Sequence, residues 1–147
     1  MPNRSPQPDH LHPSADLSET FLVRVTQETN LPDLFQLIRK EACRLLNAEL
    51  ASIFLLDREQ CELWLPLPEN GRVLRLDARL GIAGACVTAG ALLNVKDVQS
   101  DSRFFSGIDL ATKRQTRTLI AVPIRDGKGE VFGVFESVNK KGKEFTA

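Results

Sequence analysis

Apolar residues recur along this chain at two periods, and the change of period divides it. In "DLSETFLVRVTQETN", residues 16–30, Leu17, Phe21 and Val25 fall four apart, the row of a helix. One narrow apolar stripe with a polar remainder suits packing on a partner helix. "LPDLFQLIRKEACRLLNA", residues 31–48, carries Leu34, Ile38, Ala42 and Leu45 down one side and predicts a second helix. Asn30 is placed to cap it, and Pro32 falls in its first turn, where a missing N–H costs nothing.

Beyond that helix the period shortens to two. "LASIFLLD" is a short apolar run of strand type, "CELWLPL" and "RVLRLDARL" alternate, and "PENG" between them is a hairpin-type turn. "GIAGACVTAG" is rich in small residues and helical over two turns at most, and "ALLNV" is a short strand. "KDVQSDSRFFSGIDLATKRQTR" is polar and irregular with short helices. "TLIAVPIRD" and "GEVFGVFESVNK" close the chain as a hairpin across "DGKG". This order predicts an α+β domain, a mainly antiparallel sheet with helices packed on one face. Residues 1–15, which hold four of the eight prolines, read as a disordered leader.

Bulk composition narrows the function. The 147 residues are enough for one domain with a core. Lys plus Arg and Asp plus Glu balance at 19 each, which argues against nucleic acid or anionic lipid as a partner. No apolar run approaches the about 20 residues of a membrane helix. Cys43, Cys61 and Cys86 form no CxxC pair, which fits a reducing cytoplasm rather than a disulfide scaffold. The histidines, His10 and His12, both lie in the leader and read as a solvated tail, so no metal or resident cofactor is expected.

Four polar features then need explaining. Glu136 shares a strand face with Val134 and Val138, an expensive place for a carboxylate unless donors or solvent meet it. Ser52 shares a face with Leu50 and Phe54. Asp109, Thr112 and Thr116 fall at i, i+3 and i+7, one side of a helix too weakly apolar for the core but suited to a lid. The glycines of "GIAGA" permit either close backbone approach to a ligand or tight helix–sheet packing.

"NAELASIFLLDRE", "LGIAGACVTAGALLNVKDVQSDSRF", "TLIAVPIRDGKGEVFGVFESVNK" and Phe145 together resemble the GAF domain, most nearly the cyclic-nucleotide-binding GAF domains of phosphodiesterases and cyanobacterial adenylyl cyclases. The resemblance covers residues 31–147 and implies a central antiparallel sheet of about six strands with helices on both faces. It implies that Ser52, Ile82, Ala83, Asp109, Thr112, Thr116 and Glu136 line a pocket for cAMP or cGMP. Asn139, Lys140 and Phe145 match the N, K and F of the family's NKFDE signature. Its Asp and Glu would follow Ala147, so the chain is expected to be a fragment without most of its closing helix. One departure stands out: "WLPLPE" places Pro66 and Pro68 where nucleotide-binding members carry polar or aromatic base-reading residues.

The resemblance thus implies a regulatory sensor without catalytic activity. It would bind a cyclic nucleotide, control an effector domain such as a phosphodiesterase or cyclase, and pair as a homodimer through helix 16–30. The alternative is a GAF domain for dimerisation or protein contacts that binds no nucleotide. Two further GAF chemistries are disfavoured. Free methionine sulfoxide reduction needs a thiolate, and the loop "NVKDVQSDSRF" has no cysteine; bilin attachment needs a lid cysteine, and none follows Cys86.

Overall fold

Helix α1, Leu31–Leu46, opens the described part of the fold, with the Asn30 side chain accepting from the Asp33 amide at 3.3 Å. Such a cap contributes about 1 kcal/mol. The helix stops short of residue 48 because Asn47 turns left-handed (φ 49°) and its N–H closes back on the Arg44 and Cys43 carbonyls. This computed structural model describes residues 30–67, 71–107 and 115–142, together with Gln27, Asp109 and Phe145. The leader, the Leu17–Phe21–Val25 stripe, Pro68 and Thr112 lie outside the described residues.

Strands β1 (Ala48–Asp57), β2 (Glu62–Pro66) and β3 (Val73–Asp77) follow, then helix α2 (Gly81–Ala89), β4 (Leu93–Val95), a 3-10 turn (Val98–Ser100), β5 (Leu119–Arg125) and β6 (Val131–Lys140). They form one sheet in the order β3-β2-β1-β6-β5-β4, with every neighbouring pair antiparallel. The last strand thus lies at the centre, between β1 and β5, which buries its residues on both faces.

One face carries the main core, where Phe54, Leu63, Ala121 and Val134 meet Ile82, Ala83 and Cys86 of α2. A second cluster joins Ala48, Ile120 and Phe145 with Leu46 and Val122, and α1 packs against β1 and β6. Ile120 and Val122 alternate with Leu119 and Ala121 along β5, so the two clusters draw on opposite faces. Helices on both faces replace the one-face arrangement that element order alone suggests. A three-residue connection from β3 to α2, Ala78 to Leu80, swings the second helix to the side that α1 leaves open.

Two local features set the shape of the site. At Gly84 an added Cβ would lie 2.5 Å from the Ala78 carbonyl oxygen, so a glycine is required for α2 to rest on the turn after β3. The other is a split between β1 and β2, which pair only at Leu55–Asp57 with Glu62–Trp64. Continued, that register would set Pro66 opposite Ile53 and position 68, also proline, opposite Ala51. Neither proline has the N–H that a ladder needs. The β1 edge before Leu55 therefore has no partner in β2, and Arg39 of α1 meets the Ala51 carbonyl there (Nε–O 2.9 Å).

Gly84→Ala is expected to destabilise the domain by about 1–3 kcal/mol, the range for overpacking a tight contact. Urea denaturation measures it. An unchanged midpoint would show that α2 can shift without cost.

Candidate functional site

Between the sheet and α2 lies a cavity of about 520 Å³, within the range of small-molecule sites. Six of the seven residues expected around a ligand line it: Ser52, Ile82, Ala83, Asp109, Thr116 and Glu136. Thr112 lies outside the described residues. Arg39, Glu49, Gln115, Arg117 and Asn139 also line it, and none of these five is marked as pocket-lining by its spacing. Arg39 comes from the helix on the far face and reaches the hollow only through the β1–β2 split, which a period-based reading cannot show.

Ser52 and Glu136 are direct cross-strand partners on β1 and β6. Among the described residues neither side chain meets a hydrogen-bonding partner. Glu136 is only 7% exposed and lies beside Val134, which is fully buried. Burial alone pushes its carboxyl up to about 8. At neutral pH the group is therefore mainly a neutral acid, able both to donate and to accept.

Helix α2 supplies a contrasting wall. Its N-cap position is Leu80, which offers no side-chain hydrogen bond, and its first turn holds no acid. The first amides of a helix have no intrahelical acceptor. Gly81, Ile82 and Ala83, which carry these amides, all line the cavity, so a partial positive charge borders it.

The lid differs from the helical spacing predicted for it. Gln115 to Thr118 are not helical, so Thr116 does not continue the face of Asp109. Instead the Asp109 carboxylate accepts from the Thr116 amide at 2.9 Å and from its hydroxyl at 2.7 Å. The two residues come together through this bond, because the buried Thr116 donors need a local acceptor where no helix supplies one.

Asn139 anchors the segment after the lid. Its Oδ1 accepts from the Arg117 and Thr118 amides at 2.6 and 3.3 Å. Its Nδ2 donates to the Gln115 carbonyl and to Glu49 Oε2, both at 2.9 Å. Glu49 also accepts from Arg117 at 2.9 Å, and these bonds, the Arg117 one first, hold its carboxyl below the usual range.

A family model for the GAF domain matches residues 30–147. The chain belongs to the GAF family. A curated relative, the "Probable 3′,5′-cyclic phosphodiesterase pde-5" of Caenorhabditis elegans, is 30% identical over 119 residues, spanning 71% of this chain and 16% of that protein. Among solved structures, the GAF domain of a Coxiella burnetii phosphoenolpyruvate-protein phosphotransferase matches with a TM-score of 0.73 at 20% identity, covering 86% of this chain and 77% of that one. The free methionine-R-sulfoxide reductase of Neisseria meningitidis, in complex with its substrate, matches with a TM-score of 0.64 at 17% identity, covering 86% and 72%. These structures share the fold.

In this GAF domain the three signature residues do separate jobs. Asn139 is the anchor just described. Lys140 donates from Nζ to the Leu46 carbonyl at the end of α1. Phe145 plugs the second core cluster, and its carbonyl accepts from Asn94 at 2.8 Å. Neither Lys140 nor Phe145 lines the cavity. The domain is a regulatory one by family. Cys86 fits that, because it is fully buried outside the cavity lining and burial pushes its thiol up to about 11. A thiol held protonated is a poor nucleophile.

Two outcomes follow for this GAF domain. Iodoacetamide at pH 7.5 should label the exposed Cys61 quickly and Cys86 only after unfolding; mass spectrometry resolves the two sites, and rapid native labelling of Cys86 would contradict its burial. Glu136 gives a pH signature. Its folded carboxyl titrates at about 8 against an ordinary value of 4.5, so between these values the folded state binds more protons than the unfolded. Stability from this group therefore falls as pH rises through that window. Glu136→Gln should flatten the slope and stabilise the domain most at its upper end. Denaturation at pH 5, 6.5 and 8 tests this, and parallel slopes for the two proteins would refute it.

Proposed function

We propose that this domain is a regulatory sensor whose cavity takes a cyclic nucleotide, cAMP or cGMP, and that binding controls an effector domain of a larger protein. The observation that carries this is the pairing inside one cavity of unlike polar elements, the uncapped start of α2 and the Ser52–Glu136 pair. The first suits the negative charge of a cyclic phosphate. The second offers a hydroxyl and a carboxyl to the donors and acceptors of a ribose or purine. The similarity to a cyclic phosphodiesterase supports the same class of ligand.

The lid supplies a route from ligand to output. Asp109 and Thr116 close on each other. A ligand that adds hydrogen bonds to them would favour the closed arrangement by its differential affinity and so shift an existing equilibrium. The Asn139 anchor passes such a shift to the end of β6, and Lys140 passes it on to the end of α1. Pairing of two copies through residues 16–30 belongs to this proposal as the means by which helix movement reaches the effector.

Pro66, which lines the cavity where nucleotide-binding members of the family carry polar or aromatic base readers, favours a second reading. In it the domain serves dimerisation or protein contacts and binds no nucleotide.

Calorimetric titration with cAMP and cGMP separates the readings. Binding should raise the unfolding free energy by about 2.7 kcal/mol at a hundred-fold excess over Kd. Asp109→Ala should weaken it by about 1–3 kcal/mol, since the lid then loses its acceptor. Absence of heat and of stabilisation with either nucleotide at millimolar concentration would establish the second reading.

A further inference from the structure

Among the described residues five charged side chains line the cavity, and four of them balance. Arg39 and Arg117 stand against Glu49 and Asp109, two cations and two anions. Glu136 is the fifth, so ionising it gives the lining one surplus negative charge. Its position makes that charge hard to offset. Glu136 is 7% exposed, and its partners across the sheet are Ser52 on β1 and Ala121 on β5, a hydroxyl and a methyl.

The charged groups around it are engaged with one another or with backbone. Arg117 meets Glu49 at 2.9 Å, the Asp109 carboxylate accepts from Thr116, and Arg39 donates to the Ala51 carbonyl. Arg125 of β5 donates to the Gly90 and Gly129 carbonyls. From α2 the titratable neighbour is Cys86, whose thiol is pushed up by burial first and by the charge of Glu136 second. A thiol that Glu136 holds protonated offers no counter-charge in return. Burial alone therefore governs the Glu136 carboxyl, and among the described residues no cation opposes it.

An anion entering this space meets that surplus directly. Two like charges sharing a poorly solvated site are not both held ionised, so one of the groups keeps a proton. A cyclic phosphate takes up no proton near neutral pH, whereas a buried carboxyl does. Resting on the nucleotide reading above, we infer that the cavity binds its anionic ligand together with a proton on Glu136, so that the charge of this one residue governs ligand affinity. The protonated carboxyl also presents an O–H donor to the ligand's acceptors, which the ionised form lacks. The coupling is reciprocal: protonation favours the ligand, and the ligand favours protonation by the same factor.

Below about pH 8 Glu136 already carries its proton and affinity is flat; above it the proton must come from solvent, and affinity falls. The domain thus responds to nucleotide and pH together, and its response fades as pH rises.

Calorimetry on the full chain tests this with whichever of cAMP and cGMP binds more tightly at pH 7. Wild type should bind it about ten-fold more weakly at pH 9, the factor set by one pH unit beyond the titration of Glu136. At pH 8 binding should take up about half a proton, read as a heat that differs between phosphate and Tris buffers, whereas at pH 6 the heats should agree. These comparisons need no mutation. Glu136→Gln keeps the neutral shape of the acid, and every other titrating group, on protein or ligand, is common to both proteins. The ten-fold loss should therefore be absent from the variant, and its heat at pH 8 should not depend on buffer. Constant wild-type affinity from pH 7 to 9 with buffer-independent heats, or a loss that persists undiminished in Glu136→Gln, would overturn the role of Glu136 and leave the nucleotide site standing. Binding of neither nucleotide at any pH would remove the site itself, and the proton coupling with it.

Discussion

Asn139 sits in the left-handed region (φ 58°) at the end of the central strand, 4% exposed, with its side-chain amide divided between residues 115–118 and Glu49 of β1. Asparagine tolerates that backbone conformation better than most residues. Its carbonyl oxygen holds the amides of residues 117 and 118, and its nitrogen holds the carbonyl of residue 115 and the carboxylate of Glu49. A segment that is neither helix nor strand has backbone polar groups to satisfy, and here one side chain satisfies several of them. Because residues 115–118 are held to the sheet, Thr116 lies where Asp109 can cap it. The rim ion pair between Arg117 and Glu49 follows from the same anchorage. It is exposed and contributes little by itself.

The cavity reflects the opposite principle, polar groups placed where the protein does not satisfy them. A buried carboxyl beside a serine at the centre of a sheet is costly, and an apolar pair there would pack better. Protonation of Glu136 keeps that cost low. A ligand that supplies donors recovers the hydrogen bonds forgone, which makes affinity and apo-state stability two sides of one choice. The α2 amides at the other wall follow the same logic, left uncapped because Leu80 occupies the capping position.

Element type was largely legible from period and punctuation. Asn30 and Pro32 marked the start of α1, and the alternating runs marked the strands. The boundary errors have local causes. The end of α1 turned on Asn47 adopting a left-handed conformation, which many sequences with Asn-Ala do not do. The lid was misread because helical spacing at residues 109, 112 and 116 is only a necessary condition for a shared helix face. Asp109 and Thr116 do meet, through the Asp109 carboxylate accepting from the Thr116 amide and hydroxyl.

The sequence by itself determined the local facts: which runs alternate, which residues cannot donate to a ladder, where a carboxylate and a serine would face the same side as valines and phenylalanine. It determined the family as well, since several spaced blocks in a set order specify one fold. Only the tertiary structure decided that Ser52 and Glu136 are opposite one another, because strand register depends on pairing between residues more than eighty positions apart. Only the tertiary structure decided that Arg39, on a helix of the far face, reaches the cavity. That contact depends on a missing strand pairing, and a chain read one residue at a time shows which N–H groups are missing but not what moves in to replace them.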